Sequence, residues 1–200
     1  MCNFTRCVGR SFRLGLLGAF FLGALAPGCS TTPSPSERER QARFAFNQAM
    51  RVHQLPVGDA TNAVERATLM DQTASAYAKV EQDYRDVPRW AAAALRCQGQ
   101  VNLERGQVKA ALACFDQVGR RYPVEHWEVI QAWKAAAVTL WVAHQQSEAR
   151  LYYRQIVASY GGKTGDPPMF DSIVTVARSR LKEPGDPCAC VHPLDRRSPA

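Results

Sequence analysis

Tyr84, Tyr122 and Tyr160 stand 38 residues apart, and the chain agrees with itself at that offset on either side of them. Tyr77, Phe115 and Tyr153 line up, as do Val80, Val118 and Ile156, while Thr73, Ala111 and Ala149 form a column of small residues. Upstream, Leu95 pairs with Trp133 and Gly99 with Ala137. A fixed period of this length marks a repeat architecture and constrains the fold more than any single residue does. No proline occurs between Pro56 and Pro88, Pro88 and Pro123, or Pro123 and Pro167. An interior proline costs a helix about 3 kcal/mol, so these are three long windows that permit helix. Within them apolar residues recur at helical spacing. The pattern predicts antiparallel helix pairs, residues 90–104 with 107–122 and 127–142 with 147–160, turning at Arg105-Gly106 and near His144-Gln145.

The fold class that follows is all-α: a helical solenoid of about three antiparallel pairs with a C-terminal capping helix. Gly99 and Ala111 let two backbones approach, and Phe115 fills the gap to the next unit, where Trp133 receives it. A single hairpin cannot bury both of its faces, so stacking supplies the core. That core is read as Tyr77, Leu95, Gly99, Ala111, Phe115, Trp133, Ala149 and Tyr153. Upstream, Ser36 and Glu39 have the spacing of a capping box. They open a helix to about Gln54 with Ala42, Phe46, Ala49, Met50 and His53 on one stripe, followed by a turn over residues 55–60. Downstream, Pro167-Pro168 opens a helix through Leu181 whose stripe of Phe170, Ile173, Val174, Ala177 and Leu181 suits a terminal cap.

These residues resemble the tetratricopeptide repeat. Leu95, Gly99, Gly106, Ala111, Phe115 and Pro123 stand where that motif has large, Gly, Gly, small, aromatic and Pro. Gln98 and Asn102 replace an expected Leu and aromatic, and the period is 38 against the motif's ~34. The extra residues fall in the link Tyr-Pro-Val-Glu-His-Trp between units. Such longer links are similar to the repeats of envelope lipoproteins of the BamD and Tol–Pal-associated CpoB (YbgF) type. The resemblance covers roughly half of the chain: two units match well and residues 61–84 in part.

The N-terminus carries Arg6, Arg10 and Arg13 with no acid, then twelve uncharged residues from Leu14 to Leu25. A basic start, a short apolar run and small residues make a secretory signal peptide, too short for a stable span. It closes with Leu25-Ala26-Pro27-Gly28-Cys29-Ser30, which resembles the lipobox of bacterial lipoproteins, although Leu is displaced by one place and Pro27 fills a site usually small. The resemblance implies lipid attachment at Cys29, which becomes the new N-terminus. Ser30, rather than Asp, then implies the periplasmic face of the outer membrane. Several acyl chains, each contributing ~0.8 kcal/mol per buried methylene, would anchor the protein durably. The resulting organisation is a signal peptide over 1–28, a lipidated tether over 29–37, a repeat domain over 38–182 and a tail over 183–200 that reads as unstructured.

Composition narrows the function. The chain has 200 residues, 46% hydrophobic and 22% charged, which excludes wholesale disorder. No apolar run reaches the ~18 residues of a membrane span, which excludes a multi-pass protein. The formal charge is +7, but losing the leader's three arginines leaves 22 cations against 18 acids, a balance of +4 that gives little reason to expect nucleic acid.

The search for a reaction centre finds none. His53, His126 and His144 have no Ser, Cys or carboxylate at a nucleophile or metal spacing, and satisfied or surface histidine is the default for each. Cys188, Cys190 and His192 are ligand-type atoms in a cluster. They leave open zinc with a further donor such as Asp195, a disulfide, or an uneventful tail. Cys97 and Cys114 sit at equal heights on one hairpin, but Cys97 lies about 200° around its helix from Gly99 and should point away from Cys114. Neither a catalytic residue, a metal nor a cofactor is expected.

By resemblance, the first helix of each pair lines a groove for peptides or partner helices. Carried onto this chain it comprises Ala93, Arg96, Gln100 and Leu103 with Gln131, Lys134, Val138 and Trp141. The competing reading packs Trp141 on the next helix and leaves the cations solvated. The function this implies is a membrane-anchored periplasmic scaffold that binds protein or peptide partners, in outer-membrane protein assembly or in coordinating the envelope with division. The alternatives are a component acting on peptidoglycan and a redox- or metal-responsive envelope protein. The oligomeric state stays open.

Overall fold

Every regular element among the described residues is helical, as the proline-free windows require. The computed structural model describes residues 33–162 and 168–183, all within a compact unit that begins at Pro33. Cys29, Cys188, Cys190, His192, the signal peptide and most of the tail lie outside them. The helices are α1 (Pro35–Gln48), α2 (Leu55–Asp59), α3 (Ala63–Asp83), α4 (Pro88–Glu104), α5 (Val108–Arg121), α6 (His126–Val142), α7 (Gln146–Tyr160) and α8 (Pro168–Lys182). No described helix is long and apolar enough to cross a membrane.

From α3 to α7 each helix packs on the one before and the one after it, and α8 packs on α7. In addition α1 touches α4, α4 touches α6 and α6 touches α8. The helices α3, α5 and α7 are bridged by side chains: Tyr122 Oη and Arg121 Nη1 donate to Glu81 at 2.8 and 2.9 Å, and Tyr152 Oη donates to Asp116 at 2.6 Å.

The turns repeat with the period of the sequence. At the end of α4, the N–H of Gly106 donates to Leu103 O and that of Gln107 to Asn102 O. At the end of α6, His144 donates to Trp141 O and Gln145 to Leu140 O in the same way. Both closures have the hydrogen-bond pattern of a Schellman motif, which needs a left-handed residue: Gly106 has φ 72° and His144 φ 59°. The links between pairs match as well. Tyr84 and Tyr122 cap their helices at φ −125° and −127°, and their carbonyls accept from Val87 and Glu125 at 2.9 and 3.0 Å.

The predicted columns are the core. Thr73, Ala111 and Ala149 are buried, as are Tyr77, Phe115 and Tyr153, and Val80, Val118 and Ile156. A Cβ on Gly99 would stand 2.6 Å from Phe115 Cε1, so the bare glycine is what admits the ring. Trp133 packs against both neighbouring clusters and presses its indole on Gly119, where a Cβ would lie 2.9 Å from Nε1. Leu95 is buried beneath α5 and α6.

Two expectations at the N-terminal end are corrected. The cap of α1 is Ser34, whose Oγ accepts from Glu37 N at 3.3 Å, and Pro35 takes the first helical position. A proline there forfeits no hydrogen bond, which moves the start two residues ahead of Ser36. Glu39 does not close a capping box; it accepts from the indole of Trp90 at 2.7 Å. The expected turn over 55–60 is also absent, because the helix runs on to Asp59 through a wide π-helical stretch, Ala49–Gln54. There the N–H of Leu55 reaches Met50 O, and this break in α register directly precedes Pro56, whose ring an unbroken ladder would not admit.

Candidate functional site

The residues assigned to a partner groove lie on α4 and α6, and they differ in how free they are: Ala93 is buried in the core and so drops out of an open face. Gln100 and Val138 are exposed, Val138 at 45%. Leu103, Gln131 and Lys134 are half-buried. Arg96 is held: its Nε donates to Glu128 Oε2 at 2.5 Å across the α4–α6 seam, with the carboxylate side chain 13% exposed. Burial works against the Arg96 charge, and the neighbouring thiol, carboxylate and Tyr77 more than offset it, so its pKa is raised. Trp141 is engaged too. Its ring meets Tyr153 edge-on at 5.9 Å, Arg180 lies 4.9 Å from its centroid and Arg150 5.9 Å. Arg150 in turn donates to the carbonyls of Leu181 and Glu183, closing the end of α8. The face the structure leaves open is therefore Gln100 and Val138, with Lys134 and Leu103 at its margin.

An open trough of about 660 Å³ lies elsewhere, between α3 and the run from α1 into the π-helical stretch. Ala45, Ala49, Ala76 and Val80 are its small apolar members; His53, Lys79 and Tyr84 stand among its polar ones. Its charges are self-compensated: Lys79 pairs with Asp83 at 2.8 Å, and Asp71 pairs with Arg105. Sequence reading missed this trough. Its signal is the recurrence of alanine at helical spacing, Ala42, Ala45 and Ala49, from α1 into the π-helical stretch.

Glu81 is a highly connected charged group among the described residues. Its side chain is 8% exposed, and it accepts from Tyr122, Arg121 and Arg85. Burial alone would raise the carboxyl; hydrogen bonds from Tyr122, Arg85 and Arg121 overcome that and hold its pKa below the ordinary value. Tyr160 is pushed up to about 12 by burial. Burial likewise raises the thiols of Cys97 and Cys114, which favours the inert protonated form. Both cysteines are free: Cys114 accepts from Asn102 Nδ2 at 3.7 Å, and Cys97 lies in the neighbourhood of Tyr77 and Arg96.

His53 lines the trough, His126 is exposed with its ring 5.9 Å from Tyr160, and His144 occupies its turn. Among the described residues no group of three or more His, Cys, Asp and Glu side chains is placed to hold a metal ion. No family model, curated protein or solved structure matches the chain.

Proposed function

We propose that this chain is a lipid-anchored envelope scaffold of the tetratricopeptide-repeat kind, exported by residues 1–28, tethered at Cys29 and docking protein or peptide partners on the layer formed by α1, α4, α6 and α8. The observation that carries the reading is the recurrence of one hairpin closure and one inter-pair link at an offset of 38 residues. Identical joints generate a regular stack. Contacts between alternate helices in the layer of α4, α6 and α8, beside the side-chain bridges that join α3, α5 and α7, support a stack that curves toward the first layer. A curved rigid stack presents side chains at fixed spacing, and the lipid confines it to a surface where partners are concentrated. The tasks this suits are outer-membrane protein assembly or coordinating the envelope with division.

Gln100 and Val138 are the side chains best placed to meet a partner, with Lys134 supplying charge and Arg96 oriented by Glu128. The test is affinity capture from detergent-solubilised membranes of wild type against the Lys134→Glu/Val138→Glu double variant. A discrete partner retained by the wild type and lost from the variant, with helicity and melting unchanged, supports the reading; identical capture by both contradicts it.

A further inference from the structure

α1 is held to its neighbours differently from the helices after it. Among its residues only Ala42 is fully buried, whereas α4 buries eight, including Ala91, Ala92, Ala94 and Leu95. Its attachment is mostly polar and lies near the surface. Arg38 Nε and Nη2 donate to the two carboxylate oxygens of Asp86 at 2.7 and 2.9 Å, and Nη2 also donates to Asp83 O. The same guanidinium lies 4.5 Å above the Tyr84 ring. Glu39 takes the indole N–H of Trp90, and Phe46 sits between Tyr77 and Trp90 at 5.6 and 5.4 Å. The Asp86 side chain is 56% exposed, so this clasp is open to screening by salt. Beyond the clasp α1 borders the open trough through Ala45 and Gln48, and at its C-terminal end the α register breaks over Ala49–Gln54.

Few buried apolar groups, exposed ion pairs and a broken register are the marks of a segment that opens locally before the rest of the domain. We propose that α1 is a displaceable strap, hinged at the wide turn ahead of Pro56. The α3–α4 surface beneath it then receives a helix of α1's own pattern, an arginine eight residues before a phenylalanine. What the surface recognises is read from what the strap places there: the cation on Asp86 and Tyr84, and the phenyl ring between Tyr77 and Trp90. This surface is separate from the exposed face of α4 and α6, and the inference does not rest on export or anchoring.

Hydrogen exchange on the full chain tests the strap. Amides of residues 38–48 exchange at least tenfold faster than those of residues 92–101. The ratio widens as sodium chloride shortens the Debye length from about 30 to about 3 Å. Arg38→Ala raises exchange in α1 and leaves α4 to α7 unchanged. Equal protection of α1 and α4, no salt response, or faster exchange throughout the domain in Arg38→Ala would each overturn the strap. A fluorescent peptide of residues 34–54 tests the receiving surface. It binds Arg38→Ala at least tenfold more tightly than wild type, and a peptide with Phe46→Ala loses that binding. Equal binding to both proteins, or binding to neither, would overturn it.

Discussion

His144 occupies, 38 residues further on, the left-handed turn position that Gly106 fills in the preceding hairpin, at φ 59° against 72°. The hydrogen bonds around the two residues are the same, so one joint is built twice, once with glycine and once against the preference of an L-residue. The left-handed conformation costs a residue with a Cβ about 1–2 kcal/mol. His144→Gly is expected to stabilise the domain by about 1 kcal/mol, raising Tm by about 2–4 °C, and Gly106→Ala to destabilise it by a similar amount. Urea and thermal unfolding followed by circular dichroism measure both.

Gly99 on α4 and Phe115 on α5 pack so closely that the glycine has no room for a side chain. Gly99→Ala forces a methyl into the ring and should cost about 1–3 kcal/mol, despite alanine's better helix propensity. Phe115→Ala should cost about 3–5 kcal/mol through the cavity it leaves. Because the two side chains compete for one space, Gly99→Ala combined with Phe115→Leu should be less destabilising than the sum of the single changes. A double-mutant cycle by chemical denaturation reads this directly.

Glu81 ties α3 to the end of α5, and its depressed pKa fixes the direction of a pH effect. A carboxyl whose folded pKa lies below its unfolded value of ~4.3 contributes stability that is fully present above that value and is lost as pH falls through the folded pKa. Wild type should therefore lose stability on acidification more steeply than Glu81→Gln. At neutral pH the substitution should cost about 1.5–3 kcal/mol, the range for a hydrogen bond to a charged group. Urea midpoints from about pH 6 downward compare the two proteins.

The proposed anchoring at Cys29 has a separate consequence. Cys29→Ala should abolish fatty-acid labelling and, once the leader is removed, release the folded domain from the membrane fraction. Fractionation with metabolic labelling by a radioactive fatty acid measures it; label or membrane retention that survives the substitution contradicts the assignment.

The helices were legible because their information is local. The reading of 90–104, 107–122, 127–142 and 147–160 falls within two residues of α4 to α7, set by apolar spacing and by the prolines between the pairs. The tyrosines of the 38-residue column mark equivalent helix ends, but their partners differ: Tyr84 receives Arg38, Tyr122 reaches Glu81, and Tyr160 reaches His126 O. Nothing in the spacing announces this. Glu81 and Tyr122 meet only because two hairpins stack, 41 residues apart in sequence. The continuation of α1 through Pro56 escaped for the same reason: proline signals a stop, and the π-helical accommodation belongs to the fold around Tyr77, whose hydroxyl donates to Gln54. Among the groove residues, position on the helix was readable, but their engagement was not. Arg96 and Trp141 proved to be tied to Glu128 and Tyr153 by residues from other helices.

The claim that one face of the stack is a docking surface is tested most directly by photo-crosslinking in living cells. A photoreactive residue is placed at Gln100 or Val138 on one layer and, for comparison, at exposed Lys109 on α5. The account predicts a discrete protein adduct from Gln100 and Val138 and none from Lys109. Adducts of equal yield from all three positions, or from Lys109 alone, would contradict it.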